Sequence, residues 1–125
     1  MVKGKRILVT GAGSIGSELI RQLAKDNKIF ILDISERGYT LREELRNKGY
    51  WVFSRTGDVR DKETIRDVFS DFKPEIIFHT AALKNVSPCE EYPEEAFATN
   101  LNGTFNIVRE AKNWDCFERM VFIST

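Results

Sequence analysis

A chain of 125 residues is one domain's worth of sequence, long enough to bury about two thirds of the surface its unfolded form exposes. Its 19 basic and 19 acidic side chains balance, and no block of one sign forms a tail or a polyanion-binding stripe, which argues against nucleic acid as a partner. No apolar run approaches the ~20 residues of a membrane span, and Met1 to Arg6 leads straight into a strand pattern instead of a signal peptide, so a cytoplasmic protein is expected.

The first apolar run, Arg6–Thr10, reads as a strand. It meets Gly11-Ala12-Gly13-Ser14-Ile15-Gly16, three glycines at the spacing G-x-G-x-x-G, and then a helical pattern at Ser14–Lys25 with Ile15, Leu19 and Leu23 on its apolar face. Each glycine has its own reason in a dinucleotide site. Gly11 allows a tight turn, Gly13 lets the backbone approach a pyrophosphate, and Gly16 lets helix and strand pack closely. The N–H groups that open the helix, around Ser14 and Ile15, would hold the negative charge with the help of the helix dipole. Glycine turns also occur where nothing binds, so the flanking pattern carries the reading.

A second strand, Lys28–Asp33, ends on Asp33, 22 residues beyond Gly11. A carboxylate there accepts hydrogen bonds from an adenosine ribose and repels a 2′-phosphate, yet Ser35 and Arg37 follow directly and suit that phosphate, which leaves NAD and NADP both open. A helix at Glu36–Asn47 leads to a third strand at Tyr50–Ser54 and then to Gly57-Asp58-Val59-Arg60-Asp61. Read locally, Gly57-Asp58 is a turn before a helix capped by Asp61. That helix, Lys62–Phe72, places Ile65, Val68, Phe69 and Phe72 on one core face.

Strand four, Glu75–His79, runs into the small residues Thr80, Ala81 and Ala82. His79 has no carboxylate partner in the local sequence and reads as a core histidine with satisfied hydrogen bonds, not as a base. Ser87, Pro88 and Glu90 have a capping pattern with proline at the first helical position. The long helix, Pro93–Asn113, carries Phe97, Leu101, Phe105 and Val108 as a further core stripe, and Asn100 on its apolar face needs hydrogen-bond partners. A last strand spans Arg119–Ser124. Cys89 and Cys116 show neither metal-ligand nor redox spacing and read as reduced thiols, with no metal site.

Strands alternating with helices imply a parallel sheet covered on both faces. Right-handed crossovers then give a Rossmann-type α/β fold of strand order 3-2-1-4-5, with nucleotide bound between strands 1 and 4, where the order reverses. A two-halved fold of this kind continues through at least a sixth strand. The expectation is therefore a sheet truncated after strand 5, a single NAD(P)-binding domain over residues 1–125 that is the N-terminal fragment of a longer enzyme.

Five segments, in order, carry a resemblance over essentially the whole chain: Thr10–Leu19 (TGAGSIGSEL), Gly57–Asp61 (GDVRD), His79–Val86 (HTAALKNV), Thr99–Thr104 (TNLNGT) and Val121–Thr125 (VFIST). The chain resembles the N-terminal part of an extended short-chain dehydrogenase/reductase, and within that group the nucleotide-sugar 4,6-dehydratases of polysaccharide biosynthesis, such as those acting on UDP-N-acetylglucosamine. UDP-hexose 4-epimerases share most of the same segments. The glycine motif departs from the family's commoner G-x-x-G-x-x-G by one residue between the first two glycines.

The resemblance implies that Asp58 and Val59 meet the adenine ring, that Thr80, Ala81 and Ala82 make room for the cofactor ribose, and that Lys84 lies near the cofactor and the sugar-nucleotide entrance. It implies that Asn100 ties its helix to the strand 4 backbone. Thr125, after Ser124, matches the catalytic hydroxyl that bonds the sugar's reacting oxygen. In relatives an Asp-Lys pair and a Tyr-x-x-x-Lys segment follow; Tyr39, Tyr50 and Tyr92 each lack a lysine four residues on. Two functions are thus in view. One is the cofactor half of a lyase that takes hydride from the hexose C4, eliminates water across C5 and C6 and returns the hydride at C6. The other is a non-catalytic NAD(P)-binding module. Strand 5, apolar at Met120 to Ile123, and the long helix, which relatives pair across a dimer contact, lead us to expect self-association.

Overall fold

The structure, a computed structural model, describes residues 2–81 and 93–124, with side chains for 2–80 and 101–123. In chain order the elements are β1 (Arg6–Thr10), α1 (Ser14–Leu23), β2 (Lys28–Asp33), α2 (Arg37–Arg46), β3 (Val52–Thr56), α3 (Lys62–Phe72), β4 (Ile76–Ala81), α4 (Pro93–Ala111) and β5 (Arg119–Ser124). The strands form one sheet in the order β3-β2-β1-β4-β5, with every pairing parallel. This is the Rossmann-type arrangement that the alternating pattern predicts.

β1 lies at the centre, and Ile7, Leu8 and Val9 are wholly buried. Because side chains alternate across a strand, Ile7 and Val9 join Ile20 and Leu23 of α1 and Leu41 and Leu45 of α2 in one core layer. Leu8 turns to the other face, where Leu32 and Ile77 pack under Ile65, Val68 and Phe69 of α3 and Ile107 of α4. Removing each such side chain from water stabilises the fold by about 1.5–3 kcal/mol. The α3 stripe is buried as its spacing predicts. Asp61 caps that helix, accepting the Glu63 backbone N–H at 3.0 Å and the Thr64 hydroxyl at 3.0 Å.

Three expectations need correction. β3 begins at Val52, two residues late, because the Tyr50 N–H is spent on the Leu45 carbonyl (3.1 Å) as the chain wraps out of α2 through Gly49 at φ +89°. On α1 the buried face is Gly16, Ile20 and Leu23, and Ile15 is 45% exposed. On α4 the expected core stripe is turned outward: Leu101, Phe105 and Val108 are 41%, 52% and 37% exposed. Gly103, Asn106, Ile107 and Ala111 face the protein instead, since the helix needs small residues where it meets the segment after β3. A Cβ on Gly103 would stand 2.4 Å from Val59 Cγ2. The Phe97 side chain and the segment from Ser87 to Glu90, with Cys89, lie outside what is described. Among the described residues no helix is long and apolar enough to cross a membrane.

Candidate functional site

The carboxyl ends of β1, β2 and β4 meet at the glycine turn. Gly11 takes φ +94°, donates its N–H to the Leu32 carbonyl at 2.8 Å, and leaves no room for a side chain: a Cβ would stand 2.0 Å from Thr80 Oγ1. Thr80 donates that hydroxyl to the Thr10 carbonyl, locking β4 to the turn. Gly16 is equally constrained, since its Cβ would meet the Gly11 carbonyl oxygen at 2.3 Å. Gly13 differs from both. Its φ of −71° is open to any residue, and the nearest atom to its missing Cβ is Arg37 Nη1 at 3.6 Å. Packing therefore explains two of the three glycines, and the third faces open space.

Gly13 is also the N-cap of α1, where no side chain caps the helix and no acidic residue stands in the first turn. The first helical bond runs from the Ser17 N–H to the Gly13 carbonyl at 2.8 Å, so the N–H groups of Ser14, Ile15 and Gly16 precede it at the positive end of the dipole. The shorter glycine spacing thus still builds a tight turn and an open helix terminus. A cleft of about 320 Å³ continues from Gly13 and Ser14 between α1 and α2, past Ser17, Arg21, Arg37 and Thr40.

Asp33 closes β2 at 5% exposure. Its Oδ2 accepts the Ser35 hydroxyl at 2.7 Å and Arg37 Nε at 3.2 Å, while Oδ1 accepts Arg37 Nη2 at 3.4 Å. The three residues that sequence reasoning set against one another thus form one network. Ile34, 63% exposed beside them, was not singled out from sequence. The available signal was an apolar residue directly after a strand-end acid, at a point where the chain must leave the sheet.

Asp58 sits in the turn after β3, accepting the Arg60 backbone N–H at 2.9 Å and the Arg60 guanidinium at 2.6 and 2.9 Å. That guanidinium holds the Asp58 carboxyl below the usual carboxylate range. Val59 is half-buried against Gly103. Asn106, 9% exposed, donates to the Val59 and Arg60 carbonyls at 3.1 and 2.9 Å, so it clamps this turn to α4. The resemblance implies a different tie for Asn100, from the same helix to the strand 4 backbone; its side chain lies outside what is described. Asn106 was legible as a further amide beyond Asn102, six residues after Asn100, on the helix face that the small Gly103 marks.

His79 is 2% exposed and bonds Thr10 Oγ1 through Nδ1 and Thr104 Oγ1, at 3.1 Å, through Nε2. Burial pushes its pKa down to about 4, as for a neutral core imidazole. Ala81 and Ser124 are register partners on β4 and β5; their side chains, and Ala82, Lys84 and Thr125 altogether, lie outside what is described. Among the described residues no group of three histidine, cysteine, aspartate or glutamate side chains could hold a metal ion.

A parallel sheet with a glycine turn at its switch point defines a Rossmann-type nucleotide-binding architecture. The chain belongs to the polysaccharide biosynthesis protein family, which it matches over residues 7–125. It is 40% identical over 129 residues to the capsular polysaccharide biosynthesis protein CapD of Staphylococcus aureus, covering 97% of this chain and 21% of that one. It is 33% identical over 131 residues to CDP-glucose 4,6-dehydratase of Salmonella typhimurium, covering 98% and 35%. Among solved structures it is similar to Thermus thermophilus UDP-glucose 4-epimerase in complex with NAD, at 34% identity and a TM-score of 0.70, covering 86% of this chain and 34% of that one. The chain thus spans well under half the length of these relatives.

Proposed function

We propose that this chain is the cofactor-binding portion of an NAD(P)-dependent nucleotide-sugar 4,6-dehydratase acting in polysaccharide biosynthesis. The observation that carries the reading is Gly13. Gly11 and Gly16 are glycine because the fold would clash otherwise, whereas Gly13 borders open space at an uncapped helix N-terminus, where a dinucleotide pyrophosphate needs bare backbone. In this reading the N–H groups of Ser14, Ile15 and Gly16 hold the pyrophosphate, Asp33, Ser35 and Arg37 bind the adenosine ribose end, and Asp58 and Val59 border the adenine. Thr80, Ala81, Ala82 and Lys84 flank the cofactor along β4, Asn100 steadies the helix behind it, and Ser124 and Thr125 present a hydroxyl to the sugar. A bound nicotinamide would accept the C4 hydride and return it after water leaves. Such a cofactor accords with a cytoplasmic setting.

The relative named for 4,6-dehydration and the family's description as polysaccharide biosynthesis proteins support the dehydratase reading, and the similarity to the UDP-glucose 4-epimerase structure keeps the epimerase as the second reading. The 125-residue chain holds no Tyr-x-x-x-Lys segment, and loss of a general base alone costs ~10²–10⁴-fold in rate. We therefore expect it to bind NAD⁺ or NADP⁺ but not to turn over UDP-N-acetylglucosamine. Mass spectrometry of the incubated nucleotide sugar checks this: unchanged mass is expected, and loss of water by the pure chain would show that it carries a base the reading does not contain. A second copy of the chain is the partner we infer for the outward face of α4.

A further inference from the structure

We propose that His79 is a positioning residue for the glycine turn: braced by Thr104 of α4, it holds Thr10 in place and so sets dinucleotide affinity without touching the dinucleotide. This role rests on the nucleotide reading above. Thr10 and His79 are register partners on β1 and β4. The imidazole bonds the Thr10 hydroxyl through Nδ1 and the Thr104 hydroxyl, at 3.1 Å, through Nε2. Thr10 lies two residues beyond Leu8 and His79 two beyond Ile77, so both point into the layer that holds Leu8, Ile77, Leu32 and Ile107. Phe122, the register partner of His79 on β5, packs its ring edge against the imidazole with centroids 5.6 Å apart. Polar side chains are stable among such neighbours only when bonded. Thr10 and His79 are each 2% exposed, which leaves neither a surface to offer a ligand.

The turn needs such a brace. Gly11 at φ +94° occupies a region that glycine enters and leaves freely, yet the amides beyond it converge on an anion only while the turn keeps one conformation. The peptide group that joins Thr10 to Gly11 is bonded at both ends. Its carbonyl accepts the Thr80 hydroxyl, and its N–H donates to the Leu32 carbonyl at 2.8 Å. His79 adds a third tie, on the Thr10 side chain, so the residue before the glycine is held as well. Thr104 then fixes the imidazole from its opposite edge, one residue beyond the Gly103 that seats α4 against Val59. α4 thus reaches both turns of the site: Asn106 clamps the turn after β3, and Thr104, through His79, clamps the turn after β1. A fully bonded buried network rigidifies what it joins; apolar contacts alone would let the strand end shift.

Two readings on the whole 125-residue chain test the proposal: the Gly11 amide resonance without ligand, and titration calorimetry with NAD⁺ and NADP⁺. Thr104→Val keeps the side-chain shape and removes the hydroxyl, whereas Thr104→Ser keeps the hydroxyl. The Gly11 resonance should move in Thr104→Val, and whichever dinucleotide the wild type binds more tightly should bind about fivefold to tenfold more weakly. Thr104→Ser should match wild type on both readings. Lost stability alone moves neither, because both are taken on protein that circular dichroism shows to be fully folded. His79→Leu should weaken binding further, and where it does not fold the two Thr104 variants carry the test. Unchanged affinity in Thr104→Val would overturn the positioning role while leaving the nucleotide site standing. So would weakened affinity with an unmoved Gly11 resonance, or equal weakening by Thr104→Val and Thr104→Ser. Binding of neither dinucleotide by folded wild type would overturn the site itself, and this role with it.

Discussion

Glycine does two different jobs in one six-residue turn, and the neighbours of each missing side chain distinguish them. That a tight turn at Gly11 and close packing at Gly16 could be expected from spacing alone reflects how few conformations join a strand to a helix so tightly. The Asp33–Ser35–Arg37 network was not legible, because a sequence shows an acid and a base four residues apart without showing that they bond across the step from strand end to helix start. His79 was legible as a core residue, flanked as it is by apolar and small neighbours at a strand end. As the only histidine, it gives a clean titration. Its pKa is about 4 in the fold against ~6.5 when unfolded. The unfolded chain therefore takes up the proton first as pH falls, and stability is full above ~6.5 and lost on the way down to 4. Between pH 7 and 5 the loss should be about 2 kcal/mol. Urea unfolding at the two values, with His79→Gln as reference, measures it; the same slope in both proteins would contradict the assignment to His79.

At the scale of elements, the strands were legible to within a residue or two because a buried parallel sheet demands continuous apolar runs. α4 was not. Its sequence offers apolar residues on more than one side, Leu101, Phe105 and Val108 as well as Ile107 and Ala111, and periodicity alone does not say which side meets the sheet. Contact with the turn after β3 decides it, through Gly103 under Val59 and Asn106 on the Val59 and Arg60 carbonyls. Gly103→Ala should accordingly destabilise the protein, although alanine favours a helix by about 1 kcal/mol over glycine. Overpacking of this kind costs about 1–3 kcal/mol. Adding Val59→Ala should recover part of the loss, and a double-mutant cycle by thermal unfolding reads the coupling. A stabilising Gly103→Ala would mean that the helix stands further from the turn than described.

At the scale of the whole molecule, the two edges of the sheet are unlike. On β3 the Arg46 guanidinium donates to the Val52 carbonyl at 2.7 Å, the kind of contact that blunts an edge against pairing. On the other flank Phe122 of β5 is 52% exposed, and α4 presents Leu101, Phe105 and Val108. Apolar surface gathered in this way marks an interaction site more often than an idle surface. Light scattering on the eluting chain should therefore show a dimer at micromolar concentration, and Phe105→Lys should shift it toward monomer. A wild-type monomer that stays soluble at high concentration would show that this face needs no partner.

These scales converge on one claim, that the open side of Gly13 is where a dinucleotide pyrophosphate rests. Titration calorimetry of NAD⁺ and NADP⁺ against wild type and Gly13→Val tests it most directly. Valine at φ −71° is unstrained and meets little of the protein, so the variant should fold, with about 1 kcal/mol lost at the helix N-cap. The account predicts that it loses dinucleotide affinity by a hundredfold or more, the scale of ~3 kcal/mol of excluded pyrophosphate contact. Wild type and Gly13→Val binding either dinucleotide with equal affinity would contradict it.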